Sequence, residues 1–323
     1  MKIGFIGLGN VGAKLAGTLI RNGIPTFLHD LEPSTAIELI KMGGIWRVSP
    51  ADITVDSDVI ITCLPSPSVT ASVIEGENGI LKTATKKKIW IEMSTTESSE
   101  VERLATLLQK KGMFSADCPV SGGCHRAETG NISIFAGCDR TVFKKIKAIL
   151  CILGKKVLHT GPLGSASTLK VMTNFLATTH LVACCEALVT MKAAKLDLST
   201  VFEAIKISSG NSFVHETESQ VILNGSRDIN FTLDLVLKDI SLFQEIAKKN
   251  KIPLEISPLL NKIIANAIDQ LGPRANSPSI ISLLEQHSGL KILAPGFPEE
   301  IKDYEPESPG YEVKPNFAKN QEY

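Results

Sequence analysis

The run KIGFIGLGNVG, residues 2–12, places Gly7, Gly9 and Gly12 within six positions directly behind an apolar stretch. Glycine this dense costs backbone order, so a tight turn or a close approach must demand it. Ile3 to Ile6 reads as a fully buried strand, and apolar periodicity from Val11 to about Arg21 predicts a helix. Gly23 closes that helix, and residues 24–30 read as a second strand ending in Asp30.

Strand, GxGxxG turn, helix, strand and terminal acid together make a dinucleotide-binding unit, with Asp30 eighteen residues after Gly12, where a ribose-binding acid belongs. Gly7 permits the turn, Gly9 lets backbone N–H groups approach a pyrophosphate, and Gly12 lets helix and strand pack closely. Asn10 and Val11 open the helix, whose N-terminal N–H groups and dipole face the phosphates. Asp30 can accept both ribose hydroxyls and would repel a 2′-phosphate. The following Leu31-Glu32-Pro33-Ser34 adds another acid and no arginine, so NAD is expected over NADP.

Further along, a helix through STAIELIKM precedes the strand SDVIITCLP, which ends at Leu64-Pro65. The strand KIWIEMST ends at Ser94-Thr95, and the periodic helix SSEVERLATLLQKKG leads into MFSADCPVSGG. This alternation predicts an α/β fold, a Rossmann-type doubly wound parallel sheet covered on both faces. From Ser165 to about Lys195 there is no Gly or Pro, which predicts a helix roughly 45 Å long at 1.5 Å per residue, longer than one compact domain needs. Ser199 reads as the cap of the next helix, and only helices are expected up to about Ile292. The expected organisation is a nucleotide domain over 1–163, a long interdomain helix over 164–196, an all-α domain over 197–293 and an extended, proline-rich acidic tail over 294–323.

A chain of 323 residues can bury a core in each of two domains, and its zero formal net charge favours neither nucleic acid nor an anionic membrane as partner. The seven cysteines show no CxxC or Cys/His ligand spacing, so no metal is expected and free buried thiols in a reducing cytoplasm are. Met1-Lys2 runs straight into the first strand, leaving no room for a presequence. The uncharged stretch Val171 to Cys185 is too short and too polar to span a bilayer. A soluble protein is expected.

Three further stretches carry chemistry: EMST (92–95), DCPVSGG (117–123) and TLKVMTNFL (168–176). With GLGNVG and the CLP before Ser66, they make residues 1–293 resemble, in order and spacing, the β-hydroxyacid dehydrogenase family. That family includes 3-hydroxyisobutyrate dehydrogenase and tartronate semialdehyde reductase and is related to 6-phosphogluconate dehydrogenase. The resemblance implies hydride transfer between a nicotinamide and a three- or four-carbon 3-hydroxyacid or its semialdehyde.

Lys170 and Asn174 stand at i and i+4, on one helix face, and their apolar flanks Leu169, Val171, Met172, Phe175 and Leu176 predict a largely buried helix. A lysine there would be partly desolvated, which moves its pKa toward the range useful for proton transfer. The resemblance makes Lys170 the general acid/base and Asn174 its positioning partner. Thr173 departs from the asparagine that the family commonly has there.

Ser121-Gly122-Gly123 can form a small anion-binding concavity from a hydroxyl and backbone N–H groups, or can be an ordinary glycine turn. The resemblance has it hold the substrate carboxylate. It also makes Leu64, Pro65, Ser94 and Thr95 cofactor contacts, and has Lys238 and Asp239 face the cleft, Lys238 touching cofactor as well as substrate. By spacing alone that pair could equally sit on an exposed helix. Phe213 is a candidate pocket wall, as is His215, although most lone histidines sit satisfied in a core. Two alternatives compete: a non-catalytic nucleotide-binding protein, expected to have lost the lysine, and an imine reductase, expected to carry another residue at position 170. The long helix suggests a homodimer or homotetramer.

Overall fold

The computed structural model describes residues 1–315. Its sheet contains β1 (Ile3–Ile6), β2 (Thr26–His29), β3 (Ile45–Trp46), β4 (Val59–Thr62), β5 (Ile89–Glu92), β6 (Phe114–Asp117), β7 (Val120–Ser121), β8 (Ile132–Gly137), β9 (Gly154–Gly161) and β10 (Tyr311–Val313). They run in the order β10-β9-β8-β6-β5-β4-β1-β2-β3, with β7 beside β8. From β3 to β6 every pairing is parallel.

All four residues of β1, β2, β4 and β5 are buried, as strands covered on both faces must be. The pleat divides their side chains. Phe5, Ile61 and Ile91 pack with Leu15, Leu19, Phe143, Ile146 and Leu150 from the helices Asn10–Arg21 and Arg140–Leu153. Ile6, Ile60 and Trp90 pack on the other face with Ile53, Ile74, Val101, Leu104 and Leu108. The doubly wound α/β fold expected from the sequence is therefore present. It departs from a purely parallel sheet at β8, which runs antiparallel to β6 and β7. A parallel return needs a crossover of about a dozen residues or more, whereas only a turn and the short helix Cys124–Glu128 separate β7 from β8.

The chain forms two compact units. One comprises Met1–Lys170 together with the chain from Asp303 onward; the other is Val171–Lys302. The division falls inside the 29-residue helix Ser165–Ala193 rather than ahead of it. The tail is also more than an extended strand of solvent-exposed chain. β10 pairs in parallel with β9, Tyr311 opposite Lys156 and Val313 opposite Leu158. Glu312 accepts ion pairs from Arg140 and, at 2.9 Å, from Lys147, and the Gly310 N–H donates to the Cys151 carbonyl at 2.7 Å. Residues 303–315 thus cover the β9 edge of their own sheet, which proline content and acidity alone did not reveal.

The second unit is helical: Leu198–Lys206, Phe213–Asn224, Leu233–Lys249, Ile256–Leu271 and Ile281–Ser288 follow the long helix. Leu181, Cys185 and Leu188 of the long helix join Ile222, Val236, Ile240, Leu260, Ile264 and Ile281 in its core. By length and composition the long helix could cross a bilayer, since an 18-residue window has mean hydropathy 1.3; the helix runs on past the uncharged stretch. Those three core residues pack it into the unit, while 33% of the apolar window is buried. Asp197, not Ser199, caps the next helix, because its carboxylate accepts the Thr200 N–H at 2.8 Å.

Burial pushes the Glu218 carboxyl up to about 7, against a single hydrogen bond from Ser277 Oγ at 3.0 Å. An acid whose folded pKa is raised stabilises the fold fully below its unfolded value and loses that contribution as pH rises through the folded one. Stability measured by urea denaturation should therefore fall between about pH 4.5 and 7. In Glu218→Gln this part of the slope should vanish; a slope identical to wild type would contradict the assignment.

Candidate active site

The glycine turn is built by contacts of two kinds. Gly7 sits at φ +96°, and a Cβ there would meet the Cys63 carbonyl at 2.3 Å; at Gly12 it would meet the Gly7 carbonyl at 2.0 Å. Both glycines are demanded by the chain itself. Gly9 is not, because a Cβ there would meet nothing within 4 Å. Its missing side chain instead leaves the exposed backbone at the start of the helix Asn10–Arg21 open to approach. That helix begins at Gly9 with no side-chain cap and no acid in its first turn, so its N–H groups and positive dipole end are offered outward. Asn10 is exposed and Val11 half-buried against the core.

Asp30 follows the last residue of β2 and is half-buried. Its carboxylate accepts the Leu8 N–H at 2.6 Å and the Glu32 N–H at 3.0 Å, tying the acid to the glycine turn. A carboxylate offers about four acceptor sites, so hydroxyl donors can still be received. These residues fit the phosphates and ribose of a dinucleotide.

The next strand ends are also hydrogen-bonded to each other. Leu64 donates its N–H to Ser94 Oγ at 2.7 Å, and Ser94 is 4% exposed; Pro65 is exposed and Thr95 half-buried. Beneath them lies a carboxyl that sequence reasoning passed over. Glu92, fully buried, accepts the Ser94 N–H at 2.7 Å and the Thr62 hydroxyl at 3.0 Å, while Trp90 Nε1 donates to that hydroxyl at 2.8 Å. Burial raises its pKa, and the hydrogen bonds oppose the rise. The available signal was an acid inside EMST at the end of an otherwise apolar strand.

After β6 the chain reaches the Ser121-Gly122-Gly123 turn. Gly122 and Gly123 have φ +132° and +85°, conformations closed to most side chains, and Ser121 is half-buried at the end of β7. His125 and Arg126 lie beside the two glycines: a Cβ on Gly123 would meet His125 Cε1 at 2.8 Å, and one on Gly122 would meet Arg126 Cδ at 3.3 Å.

Lys170 is 8% exposed on the long helix, and Asn174 follows one turn later. Asn174 Nδ2 donates to Asp239 Oδ2 at 2.5 Å, and Lys238 Nζ pairs with Asp239 Oδ1 at 3.1 Å. Asp239 is 2% exposed, so the Lys-Asp pair is not a solvated surface pair. The helix Leu233–Lys249 thereby locks the amide of the residue that stands one turn from the lysine. Phe213 is the first residue of its helix and 46% exposed. His215 is a core histidine: it is fully buried, with Nδ1 3.1 Å from Ser219 Oγ and Nε2 2.9 Å from the Phe202 carbonyl. No group of three or more potential metal-ligating side chains occurs among the described residues.

Comparison with known proteins agrees with this geometry. Residues 2–161 match the family described as the NAD binding domain of 6-phosphogluconate dehydrogenase, and residues 164–284 the NAD-binding domain of NADP-dependent 3-hydroxyisobutyrate dehydrogenase. The mitochondrial 3-hydroxyisobutyrate dehydrogenase of Rattus norvegicus is 32% identical over 81% of this chain and 80% of its own. The chain belongs to the β-hydroxyacid dehydrogenase family. Within it, the 2-(hydroxymethyl)glutarate dehydrogenase of Eubacterium barkeri is 29% identical over 90% of this chain and 97% of its own. The solved 3-hydroxyisobutyrate dehydrogenase of Mycobacterium tuberculosis, with L-serine, shares the fold at a TM-score of 0.79, 23% identity and coverage of 88% and 98%. Like these β-hydroxyacid dehydrogenases, this chain pairs an NAD(P)-binding sheet domain with a helical one.

Glu92→Ala would leave the Ser94 N–H and the Thr62 hydroxyl without their buried acceptor. It should cost on the order of 2 kcal/mol or more in urea denaturation. A loss below about 0.5 kcal/mol would show that the network contributes little.

Proposed function

We propose that this chain interconverts a three- or four-carbon 3-hydroxyacid and its semialdehyde with NAD. The observation that carries the reading is Lys170, a lysine 8% exposed, one helical turn from an asparagine whose amide is held by the buried Asp239. Lysine is almost never buried without a reason, and an ammonium shifts its pKa readily when desolvated, which suits proton transfer. The names of two relatives add chemical support: 3-hydroxyisobutyrate and 2-(hydroxymethyl)glutarate both carry a hydroxymethyl group on the carbon next to a carboxylate.

Gly7, Gly9, Asn10, Val11 and Gly12 hold the pyrophosphate, Asp30 the ribose, and Leu64, Pro65, Ser94 and Thr95 the nicotinamide side. NAD rather than NADP follows from Asp30 and Glu32, whose charges oppose a 2′-phosphate. The bound dinucleotide supplies the hydride acceptor. The Ser121 hydroxyl and the N–H groups of Gly122 and Gly123 hold the substrate carboxylate. Neutral Lys170 Nζ takes the hydroxyl proton during oxidation and returns it during reduction, while Asn174, steadied by Asp239, orients the same hydroxyl. Lys238 neutralises Asp239 within the helical unit. The reducing cytoplasm suits its seven cysteines, none of which is in a disulfide, and a homodimer or homotetramer is the expected assembly. Neither a non-catalytic role nor imine reduction is favoured, because both lead one to expect a residue other than lysine at position 170.

A panel of 3-hydroxyacids and semialdehydes, run with NAD(H) and NADP(H), should yield turnover with a higher kcat/KM for NAD. Lys170→Ala should lower kcat by about a hundredfold or more while NADH still binds. A variant with near-wild-type kcat would remove Lys170 from the mechanism.

A further inference from the structure

Asp117 is the last residue of β6 and is fully buried, yet neither the dinucleotide turn nor the proton-transfer pair uses it. Its two carboxylate oxygens are spent on the beginning of one helix: Oδ1 accepts the Gly164 N–H at 2.8 Å and Oδ2 the Ser167 N–H at 2.7 Å. Ser167 is the third residue of the helix Ser165–Ala193, and Lys170 follows one turn later on the same backbone. The same Asp117 begins the segment Asp117-Cys118-Pro119-Val120 that delivers Ser121-Gly122-Gly123.

The surroundings are shaped to keep the carboxylate in place. Asp117 is paired with Glu92 of β5 and Gly137 of β8. A Cβ on Gly137 would stand 2.3 Å from Asp117 Oδ1, so only glycine leaves room for that oxygen. Gly164 has φ +87°, a conformation that side chains rarely adopt, so the turn entering the helix also calls for glycine. A negative group on the first N–H groups of a helix is the arrangement its dipole favours, and hydrogen bonds to an ionised acceptor are roughly twice as strong as neutral ones.

We propose that Asp117 is the positioning residue for Lys170. By clamping the first turn of the lysine-bearing helix to the strand end that continues into the Ser121-Gly122-Gly123 turn, it sets the rotation and rise of that helix against the substrate's carboxylate site. The proposal rests on the reading of Lys170 as general acid/base. Misplacement of a reacting group by about 1 Å costs on the order of a hundredfold in rate, so a loosened clamp should appear in kcat. A carboxylate that only stabilised the fold would instead lower Tm and leave the kcat of the folded enzyme untouched.

The test uses the full-length enzyme and two variants. Asp117→Asn keeps the side-chain shape but sets an NH2 against one of the two backbone donors. Ser167→Pro removes the second donor and sets a ring CH2 against the carboxylate, which keeps its chemistry but must give up that contact. In each folded variant kcat should fall by about tenfold or more, with KM for NADH within about twofold of wild type. Amide hydrogen exchange over residues 164–170 should accelerate by about tenfold while β1 and β4 keep their protection. Folded variants with wild-type kcat and unchanged exchange would overturn the proposal. If Asp117→Asn fails to fold, Ser167→Pro decides alone. If the wild-type enzyme turns over no 3-hydroxyacid, the functional reading fails by itself, and the exchange rates still decide whether Asp117 clamps the helix.

Discussion

Two helix beginnings at the carboxyl edge of one sheet are treated in opposite ways, and the site depends on the contrast. The helix after Gly9 starts with bare N–H groups, no capping side chain and no acid in its first turn. The helix after Gly164 starts with its N–H groups bound to a buried carboxylate. Unpaired donors at a helix start must be satisfied by something, and each carries the positive end of the dipole. In the first case the chain withholds its own anion and leaves those donors open. In the second it supplies the anion itself, so that helix is fixed whether or not a ligand is bound.

A single cross-strand row underlies this arrangement. Thr62, Glu92, Asp117 and Gly137 are neighbours across β4, β5, β6 and β8. Both carboxyls in the row are buried, and burial raises the pKa of each while hydrogen bonds hold it back. Burying a charged group is costly unless its partners are complete. Here they are backbone N–H groups and hydroxyls from the loops that leave the sheet: Glu92 holds Ser94, which in turn holds Leu64, and Asp117 holds Gly164 and Ser167. The cost of burying two acids is offset by the order they impose on the loops. The helical unit follows a related logic with different residues, where Asp239 accepts a hydrogen bond from Asn174 and is ion-paired with Lys238.

Much of this was legible in the sequence because it is local. A buried strand, a glycine turn and a periodic helix depend on residues within a few positions of one another, and so does the i, i+4 relation of Lys170 to Asn174. The glycines at 7 and 12 announce a backbone that must come close to itself, and the acid of Asp30 marks the end of the neighbouring strand. The exposed-pair reading of Lys238 and Asp239 failed for a non-local reason: the acid is buried by its packing within the helical unit, which spacing does not encode. His215 was as ambiguous in sequence as any lone histidine until its two ring nitrogens were seen to be satisfied within the core.

The sequence by itself determined the order of the elements, the dinucleotide turn and the helix face that carries the lysine, because periodicity and turn chemistry act over short distances. Only the tertiary structure decided that β8 runs antiparallel, that the tail from Asp303 covers the β9 edge, and that Asp117 holds a helix beginning forty-seven residues further along the chain. Each of these joins groups distant in sequence through hydrogen bonds whose geometry exists only once the sheet has formed. No local pattern of residue types can announce them.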